Sequence, residues 1–346
     1  MNTTTTVAGS AKLRLAPSGQ WIAPVLATCL LAALPLILSS YLQDLVLKII
    51  ILSIFALSLE LLVGTTGLVS LGHAAFFGIA AYVTALASPV TAPGAVLELI
   101  PLAMLAAGGY ALLVGALSLR TKGVYFIMVT LAFAQMAYYV FHDTAIGGGS
   151  DGMYVTMRPM LKIGDIVMLD FENTHHLYFF SLGALSVTYG LLALLRRSRF
   201  GHALAGIRTN EQRMRAVGYQ TYNYKLAAFV IAGMLAGLSG MLMATKNGIV
   251  NPEMLSWHES GAVLLMIILG GLGSLRGAVI GAIAFVLLKE FYSSEAVFGA
   301  FASRWQLTLG LTMILFVALL PKGLIGLSER LRGGAHAGRN LNGGEK

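Results

Sequence analysis

Charged residues and cysteine are both scarce in this chain of 346 residues. Only 11% of the residues are charged, whereas 57% are hydrophobic and the mean hydropathy is +0.79. Soluble domains carry about a quarter charged residues, so this composition excludes a soluble protein and indicates a polytopic membrane protein. The single cysteine, Cys29, excludes an intrachain disulfide and a cysteine cluster, and we expect no metal site.

A nucleotide-binding motif is missing as well. The sequence holds no G-x-x-x-x-G-K-[ST] phosphate loop, and its polar stretches are far too short for an ATP-hydrolysing domain. The glycine-rich run ILGGLGSLRG at residues 268–277 lacks the lysine of such a loop. We therefore expect no enzyme activity and no bound cofactor. If ATP drives this protein, the ATPase is a separate chain.

Apolar runs predict an all-α fold with about ten transmembrane helices between residues 21 and 321. Residues 1–20 and 322–346 are the predicted tails, an outer segment covers residues 142–175, and an inner connection covers residues 196–223. The predicted spans are residues 21–40, 43–63, 67–87, 96–119, 123–141, 176–195, 224–245, 258–269, 277–292 and 305–320.

Basic residues orient this topology. With both tails inside, nearly all lysines and arginines of the connections fall on the inner side. Those that fall outside are Arg158, Lys162, Lys246 and Arg304. Because positive residues favour the cytoplasmic side of a membrane, both termini are predicted to be cytoplasmic. The same bias explains the net charge of +8 without a nucleic-acid partner.

The inner connection carries the strongest basic cluster and a helix signal. Thr209 or Asn210 is a candidate cap, Glu211 lies in the first turn, and Gly218 ends the pattern, which predicts a short helix at residues 209–217. Such a helix on the inner face offers a binding element for a soluble partner. The alternative is a solvated basic loop, which the orientation rule alone would produce.

Polar residues at membrane depth are costly and often functional. Here His73 and Gln135 lie within predicted spans, His142 lies at the end of one, and Glu60 lies about one turn from the inner end of its span. The simpler interpretations are a satisfied interior histidine and an interfacial or paired carboxylate. No acidic pair or Asp/His chain marks a proton route, which disfavours an ion-coupled carrier and favours a neutral or zwitterionic solute.

Glycine is abundant, with 40 residues that cluster inside the predicted spans. Small residues let membrane helices approach closely, and glycine breaks also mark discontinuous helices around transport paths. Two stretches, GLVSLGHAAFFGIAAYV from Gly67 and GLGSLRGAVIGAIAFVL from Gly271, share several residues in register. This likeness indicates either an internal repeat or a bias in composition.

Four stretches together resemble the permease subunits of branched-chain amino-acid ABC importers, the LivH/LivM family, and are most similar to the LivM type. They are ELLVGTTGLVSLGHAAFFGIAAYVTAL at residues 60–86, GGGSDGM at residues 147–153, the basic connection with YKLAAFVIAGMLAGLSGML at residues 224–242, and GIVNPEMLSWHESGAVLLMIILGGLGSLRGAVIGA at residues 248–282. The resemblance runs from about residue 45 to residue 327 in unbroken order.

The resemblance implies roles for three groups of residues. A cytoplasmic coupling helix at about residues 208–218 would dock into a cleft on an ATPase. The translocation path would run along one helix pair and a glycine break, and the outer turn would be either a simple turn or a contact for solute or binding protein. The coupling residues are Gly201, Ala205, Ile207, Arg208, Asn210, Glu211, Arg213, Arg215 and Gly218. The path residues are Ser70, Gly72, His73, Phe76, Gly270, Gly271 and Gly273, and the outer residues are Gly149, Ser150 and Asp151.

The resemblance also implies partners. A second, LivH-like permease subunit, two ATPase subunits that bind ATP and Mg²⁺, and an extracytoplasmic solute-binding protein would assemble with this chain in the bacterial inner membrane. The expected solute is a branched-chain or other aliphatic amino acid. The alternatives are a urea or short-chain amide permease within the same family, and an ion-coupled carrier or a passive channel outside it.

Overall fold

The computed structural model describes residues 22–89, 93–163, 166–320 and 323–326. The predicted N-terminal tail, residues 1–20, and most of the predicted C-terminal tail, residues 322–346, lie outside these ranges. The described chain is mostly helical. Its helices are α1 (Ile22–Ala33), α2 (Ser40–Glu60), α3 (His73–Ala87), α4 (Val96–Ser118), α5 (Val124–Asp143), α6 (Thr174–Arg197), α7 (Arg199–Thr209), α8 (Glu211–Ala216), α9 (Thr221–Asn247), α10 (Trp257–Gly270), α11 (Leu275–Ser293), α12 (Glu295–Phe298) and α13 (Trp305–Leu319).

Helices occupy every predicted span, but they differ in length. Within the described residues, six helical segments are long and apolar enough to cross a membrane, namely α2 with its extension, α4, α5, α6, α9 and the segment Ala302–Leu319. The shorter helices α1 and α3 fall below this length. Helices α10 and α11 pass the test only as a pair, which is bent by 115°, and this pair raises the number to seven.

Sharp backbone corners follow α2 and α10. Helix α2 continues into a π-helical turn, Leu61–Thr66, which ends at Gly67 with φ of 76°. Helix α10 ends at Gly270, and Gly271 and Gly273 follow it with φ of 115° and 88° before Ser274 caps α11. Residues with a Cβ rarely adopt these left-handed conformations, so glycine permits both corners. The glycine breaks of the sequence therefore do mark interrupted helices.

Glycine also sets the distance between the central helices. Along α9, Gly233 and Gly237 lie against Ala111 and Ala107 of α4, and Gly240 lies against the backbone of Phe77 in α3. A Cβ at any of these positions would overlap the neighbouring helix. The central helix α2 is the most enclosed span, with 89% of its apolar window buried, whereas the value is 22% for α5. Helices α2, α3, α4 and α9 thus form a closely packed centre.

The outer segment corrects the expectation of an all-α chain. Strand β1 (Met153–Tyr154) pairs antiparallel with β4 (Ile249–Val250), and β2 (Met160–Ile163) pairs antiparallel with β3 (Ile166–Asp170). Backbone groups that leave a helix need other hydrogen-bond partners, and these short strands supply them. The all-α description holds for the apolar part of the chain only.

Candidate functional site

The inner connection forms two helices where the sequence predicts one. The side chain of Ser198 accepts a hydrogen bond from the Gly201 N–H and begins α7, and that of Asn210 accepts one from the Arg213 N–H and begins α8. Asn210 is therefore the cap, and Thr209 is not. Gly218, with φ of 95°, follows the end of α8 as predicted. Arg208 lies in the last turn of α7, so the predicted single helix over residues 208–218 is wrong in its first turn.

Glu211 ties α8 to the beginning of α9. Its carboxylate accepts hydrogen bonds from Lys225 Nζ at 2.6 Å, Arg215 Nη2 at 2.6 Å and Thr221 Oγ1 at 3.1 Å. Burial opposes ionisation of this half-buried carboxyl, but the hydrogen bond and charge of Lys225, with Thr221 and Arg215, outweigh burial and lower its pKa. Both Glu211 and Arg215 are thus engaged within the chain.

One face of α7 packs against the membrane helices. Gly201, Leu204 and Ile207 are buried, and Gly201 lies against the backbone of Leu195 and Arg196 so closely that a Cβ would overlap it. Ala205 lies on the exposed side. Of the predicted coupling residues, Gly201 and Ile207 therefore pack α7 against its own helix bundle, whereas Ala205 is exposed.

Helix α8 and the turn after it present an exposed surface. Arg213 is exposed, Val217 is 74% exposed, and Tyr219 is 40% exposed. The side chain of Arg213 makes no hydrogen bond or ion pair within the described part of the chain. A valine and a tyrosine beside a free cation resemble the mixed surfaces that bind proteins. This surface, Gln212, Arg213, Ala216, Val217 and Tyr219, is called the α8 surface below.

Two arginines join the inner connection to the backbone corners. Arg208 Nη1 donates a hydrogen bond to the Gly64 carbonyl in the π-helical turn after α2. Arg196 Nη2 donates one to the Gly273 carbonyl, between α10 and α11, at 2.7 Å. A cavity of about 550 Å³ lies between these contacts, lined by Gly64, Thr65, Arg196, Gly201, His202, Ala205, Arg208, Thr209 and Gly273. Sequence reasoning assigned Arg208 to a partner and gave Arg196 no role.

The predicted path residues of α3 lie in the core. Ser70 and His73 are both 0% exposed. The His73 ring lies 2.8 Å from Ser58 Oγ through Nε2 and stacks on Phe55, with the edge of Phe76 against it. Gly72 lies against the backbone of Thr130 in α5. His73 is therefore an interior histidine, but it is only half satisfied, because its buried Nδ1 has no hydrogen-bond partner among the described residues.

The glycine break of α10 and α11 is partly open. Gly270 packs against the backbone of Gly277, where a Cβ would overlap it. Gly271 and Gly273 line a cavity of about 330 Å³ whose other wall is formed by α13 and the residues after it, including Met313, Phe316 and Gly323. Gly273 also lines the cavity between the two arginines. Close packing therefore requires glycine at position 270, whereas the positive φ angles of the turn require it at positions 271 and 273.

The outward face of α5 differs from the other outward faces. Helix α4 exposes leucines, and α13 exposes leucine, isoleucine and valine. Helix α5 exposes no leucine but presents Tyr125, Met128, Met136 and Tyr139 along one stripe, which Val124 and Val140 flank, with the amide of Gln135 beside them. A shallow groove of about 630 Å³ follows this stripe, lined by Ala132, Gln135, Met136, Tyr139, Val140 and Thr144. Gln135 has no hydrogen-bond partner among the described residues. The sequence already indicated this position, because Gln135 is a polar residue within a predicted span.

The outer turn is a short 3₁₀ helix, Gly149–Asp151, flanked by glycines with positive φ. Ser150 and Asp151 are exposed, and Ser150 Oγ donates a weak hydrogen bond to Asp151 Oδ1 at 3.3 Å. Gly152 then approaches the backbone of Val250 at the pair of β1 with β4. The predicted turn is present, and both polar side chains are open to a partner.

The described residues contain no group of three or more His, Cys, Asp or Glu side chains that could hold a metal ion. The cavities near the corners are lined by glycine and apolar side chains, with two arginines, one histidine and a few hydroxyl groups. Their arginine N–H groups are donors that suit carbonyl oxygens and anions.

Comparison with known proteins places this geometry in context. Residues 41–319 match the family model described as branched-chain amino acid transport system, permease component. The chain is 30% identical over 331 residues to the high-affinity branched-chain amino acid transport system permease protein LivM of Escherichia coli K12, covering 89% of this chain and 76% of LivM. For LivM of Salmonella typhimurium LT2 the identity is 29% over 316 residues, with 86% and 73% covered.

A shorter stretch is similar to LivH, another permease protein of the high-affinity branched-chain system in Escherichia coli K12. It is 26% identical over 141 residues, which cover 40% of this chain and 44% of LivH. No solved structure matches the chain significantly.

The anchor of α8 predicts a pH-dependent loosening of that helix. The pKa of Glu211 is lowered from the ordinary value of 4.5. The stability that its carboxylate gives to α8 is therefore complete above pH 4.5 and is lost as the pH falls below that value. Replacing Glu211 by glutamine at neutral pH should speed amide hydrogen exchange in α8 about tenfold, since one charge-assisted hydrogen bond contributes about 1.5 kcal/mol.

Hydrogen exchange followed by mass spectrometry on the purified protein measures this effect. The matched control is Gln212→Ala, an exposed position of the same helix that should leave the rate near wild type. Wild-type exchange, corrected for its intrinsic pH dependence, should approach that of Glu211→Gln only below pH 4.5. Equal rates for the two variants at neutral pH would show that Glu211 does not anchor α8.

Proposed function

We propose that this chain, which belongs to the family of branched-chain amino acid transport system permease components, is the membrane-spanning subunit of an ABC importer for branched-chain or other aliphatic amino acids. The observation that carries the proposal is the similarity to LivM, which extends over 89% of the chain. The chain transports and does not catalyse a reaction. Access to its path alternates between the two sides of the bacterial inner membrane.

The energy source in this proposal is outside the chain. Two separate ATPase subunits bind ATP and Mg²⁺ and dock on the inner connection. Among the residues assigned to coupling by the sequence, Glu211 and Arg215 already bind each other, and Arg208 holds a backbone corner. The α8 surface is therefore the part we assign to the ATPase. Its apolar residues beside Arg213 support that assignment, because a protein cleft can cover both.

The position of the corners supports an orientation with this connection in the cytoplasm. Arg208 and Arg196 bring both corners to the end of the bundle where the basic connection lies. Tyr222 Oη donates a hydrogen bond to Ala116 O at 2.9 Å, which brings the end of α4 there too. Since basic connections favour the cytoplasm, this end is the inner one. In this arrangement the bent pair α10–α11 begins and ends on the outer side, so α13 runs inward whether the pair counts as two spans or as a re-entrant loop. The basic residues support our proposal that both termini are cytoplasmic.

A second, LivH-like permease subunit completes the path. His73 and Ser70 are enclosed in the core and present no surface to a solute. The surface of this chain that lines the path must therefore lie elsewhere. We assign it to the stripe of α5, where the Gln135 amide and the thioethers and phenols around it offer weak polar and polarisable contacts to a zwitterion with an aliphatic side chain. The exposed outer turn, Gly149–Asp151, then faces the solute-binding protein.

Reversing the charge of the α8 surface tests the docking role. In the variant Arg213→Glu with Val217→Asp, co-purification of the ATPase subunits should fall below a tenth of the wild-type level, because truncating an interface hot spot costs about 2 kcal/mol or more. Insertion into the membrane should be unaffected. Lys122→Glu, which reverses an exposed charge on the turn between α4 and α5, is the control and should retain the ATPase. Wild-type association of the α8 variant would refute docking at this surface.

Water access along α5 tests the proposed path. In a Cys29→Ser background, a cysteine at Met136 should react with a small water-soluble thiol reagent in the assembled transporter. A cysteine at Leu105, which is 63% exposed on α4 against 61% for Met136, should react far more slowly because lipid covers it. Reaction is followed by the mass shift of the protein. Equal reactivity at the two positions would contradict the assignment of the path to α5.

A further inference from the structure

The two backbone corners are built alike. The first corner, residues 61–72, and the second corner, residues 271–274, each contain glycine with positive φ. Each also has a serine whose side chain accepts a backbone N–H at the beginning of the next helix. Ser70 accepts from Gly72 at 3.2 Å, and Ser274 accepts from Gly277 at 3.3 Å. These serines occupy equivalent positions in the two similar stretches that begin at Gly67 and Gly271.

Each corner is held by one arginine of the same connection. Arg208, at the end of α7, donates to the Gly64 carbonyl of the first corner, and Arg196, at the end of α6, donates to the Gly273 carbonyl of the second. Gly273 also lies close to Arg208, whose Nη1 would be 3.9 Å from a Cβ there. One short segment of chain therefore contacts both corners at once.

Glu60 is buried beside these contacts. It is 0% exposed, and both carboxylate oxygens are enclosed without a hydrogen bond, although the Gly273 N–H approaches them. The carboxylate lies directly against Gly64, the residue that Arg208 binds, and a Cβ on Gly64 would overlap it. The guanidinium groups of Arg196 and Arg208 both attract it electrostatically. A buried carboxylate is costly unless positive charge compensates it. Among the described residues neither arginine forms an ion pair with Glu60, so the two guanidinium groups act on it through space and offset only part of that cost.

We propose that Glu60 is the positioning residue that keeps Arg196 and Arg208 on the two corners, so that both corners move together when the inner connection moves. This inference rests on the proposed function, since the connection is the part that an ATPase would displace. Glu60 touches neither solute nor ATPase in this role. Its charge holds two donors, each of which binds a carbonyl of a different helix pair, and removing the charge leaves each arginine free to leave its corner independently.

The experiment compares Glu60→Gln with Glu60→Asp in proteoliposomes that contain the complete importer. Glutamine keeps the size of the side chain and removes its charge, whereas aspartate keeps the charge. We expect Glu60→Gln to assemble and hydrolyse ATP but to import about tenfold less solute per ATP, a size typical of coupling between sites. Glu60→Asp should recover a substantial part of the loss. Wild-type transport per ATP in Glu60→Gln would overturn the inference.

A double-mutant cycle with Arg208→Gln separates positioning from packing. If Glu60 acts through Arg208, the double variant should transport about as poorly as the worse single variant, because both remove the same link. Additive losses would overturn the inference, as would an equal loss of folded protein in Glu60→Gln and Glu60→Asp. A wild-type importer that shows no uptake at all would instead contradict the proposed function, so the two failures are distinguishable.

Discussion

The backbone carbonyl groups at the corners after α2 and α10 need hydrogen-bond donors, and the arrangement of the inner connection depends on this need. A helix that ends leaves its last carbonyls without partners, and inside a membrane protein water is not freely available to satisfy them. Arg208 and Arg196 supply partners for Gly64 and Gly273. The same hydrogen bonds that satisfy the backbone therefore attach the inner connection to the helix bundle.

Close helix packing makes that attachment mechanically useful. Helix α9 approaches α3 and α4 through glycines, and α2 is enclosed by α6, α9, α10 and α11. Packed interiors of this density resist continuous deformation and instead move as rigid units. A displacement of α7 is then transmitted to the corners and from them to whole helices. The anchor of α8 on α9 through Glu211 and Lys225 adds a further rigid link beside the corners.

Local signals in the sequence predicted the local structure well. The ten apolar runs are all helical, Asn210 caps α8, Gly218 follows its end, and glycines mark the corners. Contacts between distant residues were not predictable. Nothing near Arg208 indicates that Gly64 is its partner, and nothing near Glu211 singles out Lys225. The pairing of β1 with β4 was missed as well. Each strand has only 2 residues, which is too short to show the alternation of apolar and polar side chains that predicts a strand.

The direction that each helix faces was also beyond the sequence. An apolar helix in a membrane protein has no polar face to distinguish core from lipid, so the sequence favoured the interior for His73 but left the path open as an alternative. Three-dimensional packing decides between them and encloses His73. The distinguishing feature of α5, methionine and tyrosine in place of leucine on the outward stripe, acquires meaning only once the other outward faces are known.

Reconstituted uptake tests the central claim most directly, namely that the path in this chain is opened by work done on its inner connection by other subunits. Labelled leucine uptake would be measured in proteoliposomes that contain the chain and its partner permease, with the binding protein outside and ATP inside, with and without the ATPase subunits. We expect accumulation only with the ATPases and ATP, and no loss when an ionophore is added. Accumulation without the ATPases, or its collapse with the ionophore, would contradict the account.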